Sequence, residues 1–158
     1  MQNEEFKAAV GKYPTGITIV STKYNNRFYG FTANSFTSVS LKPALISFCL
    51  NTTAGSFDAF FNAKHFAVNI LSYDQADVAV RFASSNTNKF QNIGFTENSF
   101  GIPLINNVLS SIECEGYKQI ECGDHYIFIG KALKVTINSD LSNKAPLIYY
   151  GKSYKELK

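Results

Sequence analysis

The stretch Gly30-Phe31-Thr32-Ala33-Asn34-Ser35-Phe36-Thr37-Ser38-Val39-Ser40 decides how the rest of the chain is interpreted. Small, neutral polar side chains dominate it, and it contains no charged residue. Clusters of Ser, Thr and Asn between periodic segments are usually surface loops. A loop with so many hydrogen-bonding groups could also bind an anion and a planar polar ring. Both interpretations are open at this point.

The segments on either side of this stretch predict β-structure. Residues 17–22 have the β-branched composition of a strand, Asn25-Asn26 predicts a tight hairpin turn, and residues 27–31 form the returning strand. Residues 44–50 are nearly all apolar, as in a strand that is covered on both faces.

The remaining segments alternate between short helices and strands. Asn3 can cap a helix with an apolar stripe at Phe6, Ala9 and Val10, and Ser56 can cap a second helix. Residues 72–75 form a capping box before a third helix, whereas residues 84–104 are expected to be loop. Further strands are expected at 66–71, 111–120, 126–138 and 147–150. Many strands with few helices predict a β-barrel with peripheral helices.

Length and composition indicate a globular protein. The 158 residues suit one domain, 1–158, and the chain is 45% hydrophobic and 17% charged. It has 14 Phe and 9 Tyr, more rings than a core of this size usually needs. Some of these rings are therefore available to line a pocket or a subunit interface.

Charge and cysteine content exclude several classes of function. The net charge of +3 is scattered, so no nucleic-acid partner is expected. The 3 cysteines form no C-x-x-C pair, so we expect no metal site and a reduced, cytoplasmic protein. No signal peptide is visible, and the apolar stretches are too short to cross a membrane.

Three features could carry chemistry: residues 32–40, the polar cluster 51–56 and the turn Gly123-Asp124-His125. A helix that begins after Ser56 would offer free N–H groups to a phosphate. A lone histidine in a turn is usually structural or simply exposed, but His125 is also a titratable group beside a glycine, where a ligand can approach the backbone. No P-loop, G-x-G-x-x-G, G-x-S-x-G or H-E-x-x-H motif occurs.

Together these motifs identify a family resemblance. The chain resembles the flavin reductase-like family with the FMN-binding split barrel, the small reductase components of two-component flavin monooxygenases. The resemblance implies a mostly β fold, a Greek-key split barrel with short peripheral helices. The matching motifs, in chain order, are Tyr13-Pro14-Thr15-Gly16, the opening stretch, Lys42-Pro43, Cys49-Leu50, Phe66-Ala67-Val68-Asn69-Ile70-Leu71, Phe82-Ala83, Lys89-Phe90, Pro103-Leu104, Glu113-Cys114, Gly123-Asp124-His125, Ile129-Gly130 and Pro146-Leu147.

The resemblance also implies a site for flavin and nicotinamide nucleotide. One catalytic residue is expected, His125, which would receive the nicotinamide together with Gly123 and Asp124. Tyr149 and Tyr154 are weaker candidates for this role. The remaining flavin-binding residues implied are Thr32, Ala33, Asn34, Ser35, Ser38, Val39 and Ser40 at the ring edge and ribityl chain, Cys49, Leu50, Asn51, Thr52, Ser56 and Phe57 along the flavin and its phosphate, and Lys89 and Phe90 near the phosphate. Asn34 stands where many relatives carry Ser, and its amide can still bond the ring edge.

The resemblance implies an NAD(P)H:flavin oxidoreductase that uses FMN or FAD with NADH or NADPH. Hydride transfer to a flavin needs no protein nucleophile, which agrees with a site of small neutral residues. We expect a homodimer that supplies reduced flavin to a separate monooxygenase. The alternative is a flavin-binding electron carrier without reductase activity.

Overall fold

The computed structural model describes residues 3–157, where strands predominate over helices. Its α-helices are α1 (Asn3–Val10), α2 (Phe57–Asn62) and α3 (Ala76–Ala83), and short 3-10 helices span Tyr73–Gln75 and Ser139–Leu141. The strands are β1 (Thr15–Gly16), β2 (Thr18–Tyr24), β3 (Arg27–Ala33), β4 (Thr37–Leu41), β5 (Ala44–Asn51), β6 (His65–Ile70), β7 (Phe95–Glu97), β8 (Pro103–Ile105), β9 (Ser110–Cys122), β10 (His125–Ile137), β11 (Leu147–Tyr150) and β12 (Ser153–Glu156).

Seven strands form one antiparallel sheet in the order β3-β2-β6-β9-β10-β5-β4. β3 and β5 are far apart in this order, yet the ring centroids of Phe31 on β3 and Phe48 on β5 are 5.7 Å apart. The sheet therefore curls until its two ends face each other, which makes a barrel that is split between β3 and β4. The expected split barrel with short peripheral helices is confirmed. A second, smaller sheet contains β1, β11 and β12.

The hairpin of β2 and β3 has the predicted two-residue turn. Asn25 and Asn26 have φ values of +48° and +58°, which asparagine tolerates better than most residues. A turn with two positive φ values matches the twist of the strands that it joins. This hairpin places β3 at one end of the sheet with one edge unpaired.

Two apolar clusters hold the fold together. Inside the barrel, the rings of Phe48 and Phe128 stack with centroids 5.2 Å apart, and Phe66 meets Phe48 edge to face at 5.1 Å. The second cluster joins the barrel to α3 and the smaller sheet, and includes Phe82 and Leu147. Much of the phenylalanine content is therefore used in the interior.

One prediction about local structure needs correction. Residues 84–104, expected to be loop throughout, contain β7 and the start of β8, which pair in a small antiparallel sheet. Each of these strands has three residues, too few for a visible alternation. The helix α1 forms as predicted, and Phe6 and Val10 of its apolar stripe are each 54% exposed. None of the described helices is long and apolar enough to span a membrane.

Candidate functional site

A cavity of about 670 Å³ opens at the split of the barrel, between the outer edge of β3, the turn after β5 and the segment after α3. This volume is in the usual range for cofactor sites. Among the described residues, two cations and no carboxylate line it. We call it the split cavity, and its walls are residues 27–32, Leu50, residues 53–56, residues 82–87, Lys89 and Phe90.

The unpaired edge of β3 forms the first wall of the split cavity. In an antiparallel ladder every second residue turns its N–H and C=O away from its partner strand. The two-residue turn sets this alternation, so Phe28, Gly30 and Thr32 turn their backbone groups toward the cavity. The carbonyl of Gly30 accepts a hydrogen bond from Nζ of Lys89 at 3.3 Å, as this geometry requires. The N–H groups of Gly30 and Thr32 are therefore directed toward a ligand.

Close packing between β3 and α3 shapes this wall. A Cβ on Gly30 would lie 2.7 Å from Cε1 of Phe82 and 3.2 Å from Cζ of Phe90, so a larger residue would displace these rings. The hydroxyl of Thr32 donates to the carbonyl of Ala79 at 2.6 Å. The Thr32 side chain thus fastens the strand to the helix, and its backbone faces the cavity.

Lys89 lies at the middle of the split cavity. Its ammonium donates to the carbonyl of Phe82 at 2.9 Å as well as to Gly30. Burial lowers the pKa of Lys89. An ammonium carries three donors, so these two bonds leave one for a ligand. Arg81 holds the lysine in place, because its Nε donates to the Lys89 carbonyl at 2.8 Å.

The turn after β5 forms the opposite wall. Oδ1 of Asn51 accepts bonds from N–H and Oγ1 of Thr53, at 2.8 and 2.7 Å, so the asparagine side chain builds the turn. Ser56 precedes α2 as predicted, but its side chain makes no capping bond, since its backbone is in the helical region. That expectation of a side-chain cap is corrected. Ser56 lines the cavity instead.

Residues 34–40 of the polar stretch have two parts in the structure, a loop that follows β3 and the strand β4. Oγ of Ser35 accepts a bond from the N–H of Cys49 at 2.9 Å, which joins the loop to β5. Burial raises the pKa of the Cys49 thiol, and the bond from Ser35 partly offsets this effect. Asn34 is exposed beside this anchor, next to the buried Ala33. These residues border the split without lining the cavity.

The second half of the stretch belongs to the outermost strand. Ser38 pairs with Ile46 and Ser40 with Leu45, and the register shifts between them at Val39. Val39 is 49% exposed. β4 thus presents these side chains at the far side of the split from β3.

The turn Gly123-Asp124-His125 joins the two longest strands, β9 and β10. Gly123 has a φ of +63°, which favours glycine. The carbonyl of Asp124 accepts a bond from the N–H of Thr52 at 3.0 Å, so this turn contacts the one after β5. Nδ1 of His125 lies 2.7 Å from Oδ1 of Asp124, and this bond lowers the pKa of the Asp124 carboxyl. His125 is half-buried and does not line the split cavity.

The two tyrosines predicted as weaker candidates lie in the smaller sheet. Tyr149 and Tyr154 are cross-strand partners with ring centroids 5.5 Å apart. Both are partly buried against the second apolar cluster. Burial raises the pKa of Tyr154. Neither tyrosine lines the split cavity.

The structure therefore brings part of the predicted set together. The predicted residues that line the split cavity are Thr32, Leu50, Ser56, Lys89 and Phe90. Those beside its walls or at its rim in the chain are Ala33, Asn34, Ser35, Cys49, Asn51, Thr52 and Phe57. Those on other elements are Ser38, Val39, Ser40, Gly123, Asp124, His125, Tyr149 and Tyr154. No group of three or more His, Cys, Asp or Glu side chains lies together as a metal site between residues 3 and 157.

Sequence reasoning missed several residues of the split cavity. Arg27 and Tyr29 line it from β3, and residues 83–87 line it from the segment after α3. A single arginine at the start of a strand gives no recognisable motif. The loop of residues 83–87 carried one available signal, since its side chains are small and neutral like those of residues 32–40.

The chain forms an antiparallel barrel that is split beside a cavity, and backbone donors and cations line this cavity. These features place it in the class of split-barrel proteins with a site suited to an anionic cofactor. Within this class, the family model described as "Flavin reductase like domain" matches residues 10–158. The chain therefore belongs to the flavin reductase-like family.

Curated relatives support this assignment. The reductase component of a flavin-dependent trigonelline monooxygenase from Acinetobacter baylyi is 38% identical over 151 residues, which is 95% of this chain and 47% of that protein. A flavin reductase from Pseudomonas putida is 36% identical over 147 residues, covering 92% of this chain and 85% of that protein. The chain thus spans about half of the first relative and most of the second.

Solved structures have the same fold. The NADH:FAD oxidoreductase of Streptomyces globisporus, in complex with NAD and FAD fragments, superposes with a TM-score of 0.93 at 28% identity and covers 99% of this chain and 93% of that one. Component B of a nitrilotriacetate monooxygenase from Mycobacterium thermoresistibile has a TM-score of 0.93 at 30% identity, with coverages of 98% and 86%.

Proposed function

We propose that this chain is an NAD(P)H:flavin oxidoreductase that passes hydride from NADH or NADPH to FMN or FAD. The observation that supports this most is the chemistry of the split cavity. Its described walls offer backbone N–H groups, neutral hydroxyls, Lys89 and Arg27, and no carboxylate. These are donors that suit a phosphate and a neutral polar ring.

The residues present fit a flavin in this cavity. A bound flavin supplies the hydride-accepting ring, so the protein needs no nucleophile of its own. Lys89 and Ser56 would hold the phosphate from opposite walls. Asn34 and Ser35, at the rim, would bond the edge of the ring. The anchored position of Ser35 against β5 keeps these donors in place before the ligand arrives.

The proposed nicotinamide site lies at the turn Gly123-Asp124-His125. Asp124 orients the imidazole through its bond to Nδ1, which leaves Nε2 to face a ligand. The hydrogen bond from the N–H of Thr52 to the Asp124 carbonyl supports this position, because it joins the turn to the one after β5. His125 then positions the nicotinamide against the flavin and removes no proton.

The proposed assembly is a homodimer that delivers reduced flavin to a separate monooxygenase. Apolar side chains remain exposed on the monomer, including Val135 at 55%, Ile137 at 77% and Leu41 at 88%. Exposed apolar side chains such as these are available to an interface between two copies of the chain. A cytoplasmic location is also proposed, since Cys49, Cys114 and Cys122 are free thiols, as is usual in a reducing compartment.

The experiment that tests the proposed function is an absorbance spectrum followed by anaerobic addition of NADH. We expect the protein to bind FMN or FAD and to bleach the oxidised-flavin band when NADH or NADPH is added. Flavin alone with NADH is the control. Tight flavin binding with no faster bleaching than this control would instead indicate an electron carrier. No flavin binding at all would contradict the proposal.

A further inference from the structure

We propose that the outer end of the split cavity, around Arg27, binds the second phosphate and the adenosine of FAD, and that the chain therefore prefers FAD to FMN. This inference rests on the proposed function and names the flavin that the site takes. It follows from the order of chemical groups along β3.

The residues of β3 mark successive positions along the length of the cavity. Thr32 lies at the inner end, next to the polar loop that would hold the flavin ring. Gly30, bonded to Lys89, lies in the middle. Arg27 lies three residues beyond Gly30, at the start of the strand, which is roughly 10 Å at about 3.4 Å per residue. Lys89 is therefore bonded at the middle of this strand, and Arg27 leaves the strand at its outer end.

A single phosphate bound by Lys89 and Ser56 would occupy only the middle of this cavity. Lys89 and Ser56 face it from the two walls, and the tail of FMN ends at that phosphate. FMN has no group that reaches Arg27 from there. FAD continues with a second phosphate, a ribose and an adenine, which are the groups that the outer end would have to accommodate.

The outer end has the chemistry that these groups require. Arg27 is exposed, and its guanidinium lies 6.0 Å from the ring centroid of Tyr29. It forms no ion pair with any residue in the described range 3–157. A guanidinium with free N–H groups binds phosphate and stacks on flat rings.

The opposite side of the outer end is a neutral polar loop. Residues 84–87 carry hydroxyl and amide groups without charge. Ser84 donates to the carbonyl of Arg81 at 2.7 Å, and Asn86 accepts from the N–H of Asn88 at 2.8 Å, so these two side chains hold the loop. The hydroxyls of Ser85 and Thr87 are left to bond a ribose or a base.

An adenosine diphosphate group also occurs in NADH, so the two sources must be separated. The outer end is continuous with the wall that carries Lys89, whereas the turn at His125 lies outside the cavity lining. A dinucleotide that has its flavin ring at the inner end and its adenosine at the outer end of the same cavity is FAD. Nicotinamide nucleotide is expected to approach from the side of the turn.

The test is equilibrium titration of FAD and FMN, without NADH, into the wild-type chain, Arg27→Ala, Arg27→Lys and Lys12→Ala. Lys12 is exposed and outside the cavity, so its variant controls for net charge. We expect wild-type Kd to be about tenfold lower for FAD than for FMN. Arg27→Ala should weaken FAD binding about fivefold and change FMN binding less than twofold, and Arg27→Lys should recover part of the loss.

A second measurement addresses the alternative source. With FMN as the flavin, Arg27→Ala should leave the KM for NADH unchanged. A raised KM together with an unchanged ratio of FAD to FMN affinity would assign the outer end to NADH and overturn the proposal. Equal wild-type affinity for the two flavins, or an equal effect of Arg27→Ala on both, would also overturn it while leaving the reductase function intact. Binding of neither flavin would overturn the proposed function itself.

Discussion

The N–H of Cys49 donates a hydrogen bond of 2.9 Å to the hydroxyl oxygen of Ser35, across the split of the barrel. Ser35 follows β3 at one end of the sheet, and Cys49 lies on β5 near the other end. The bond therefore fixes how far the two ends stand apart. It joins the two ends beside the cavity in which we place the flavin.

Removal of the Ser35 hydroxyl tests this relationship. Ser35→Ala leaves the Cys49 N–H without its partner, which should lower the free energy of unfolding by about 1 kcal/mol. Flavin affinity should fall about fivefold because the rim loses its anchor. Denaturant unfolding and flavin titration measure the two effects. Ser142→Ala, at an exposed serine, should change neither, and a Ser35→Ala protein with wild-type values would contradict the anchor.

The close approach of β3 to α3 gives a prediction about stability. In Gly30→Ala the new methyl group would lie 2.7 Å from Phe82, so the rings must shift. We expect a loss of roughly 1–3 kcal/mol of unfolding free energy, as in other overpacked interiors. Gly16→Ala is the matched control, since nothing lies within 4 Å of a Cβ at that position. Equal thermal stability of the two variants would disprove the packing argument.

Lys89 gives a prediction that separates binding from folding. Lys89→Met keeps much of the side-chain volume but removes the bonds to Gly30 and Phe82. Burial lowers the pKa of Lys89, so the desolvation cost that Lys89→Met removes should offset part of the two lost hydrogen bonds in the free energy of unfolding. Flavin binding should weaken about tenfold. If Lys89→Met binds flavin with the same Kd as the control variant Lys12→Met, the assignment of Lys89 to the phosphate site is wrong.

His125 gives a prediction about the second substrate. His125→Ala should raise the KM for NADH about fivefold and leave the flavin Kd nearly unchanged. The pKa of Asp124 is lowered by its bond to His125, so in the variant this pKa should rise toward its ordinary value. Steady-state kinetics and an NMR titration of Asp124 measure these effects. Equal losses for NADH and flavin would reject the assignment of His125 to the nicotinamide.

The three free cysteines should differ in reactivity. Burial raises the pKa of Cys114 to about 12, so almost no thiolate exists there at pH 8. Cys122 is exposed and should be alkylated first by iodoacetamide. Mass spectrometry after timed labelling should find Cys114 modified only in denaturant. Early labelling of Cys114 in the native protein would show that this part of β9 opens readily.

Local signals in the sequence predicted much of the fold. Asn25-Asn26 forms the expected hairpin turn, because its side chains tolerate positive φ. The capping box of Ser72 and Gln75 is present, since the N–H of Ser72 donates to Oε1 of Gln75 at 3.2 Å. Such features depend on neighbouring residues alone, so the sequence is enough to predict them.

Features that depend on distant contacts were harder to predict. The family resemblance suggested Lys89, but its bonds to Gly30 and Phe82 follow from how α3 packs on β3. The exposed stripe of α1 has a helical period identical to that of a buried one, so the sequence could not distinguish the two. Arg27 is a site residue because the start of β3 and residues 84–87 line the same cavity, a long-range contact that the sequence does not encode locally.

The unpaired edge of β3 also affects the solubility of the protein. Exposed strand edges are templates for pairing with another chain, and proteins usually cover or interrupt them. Here the cover would be the flavin itself, together with the loop of residues 84–87. Each release of flavin would leave this edge open. Preparations without flavin should therefore aggregate at a lower temperature than preparations saturated with it, and storage with excess flavin should protect them.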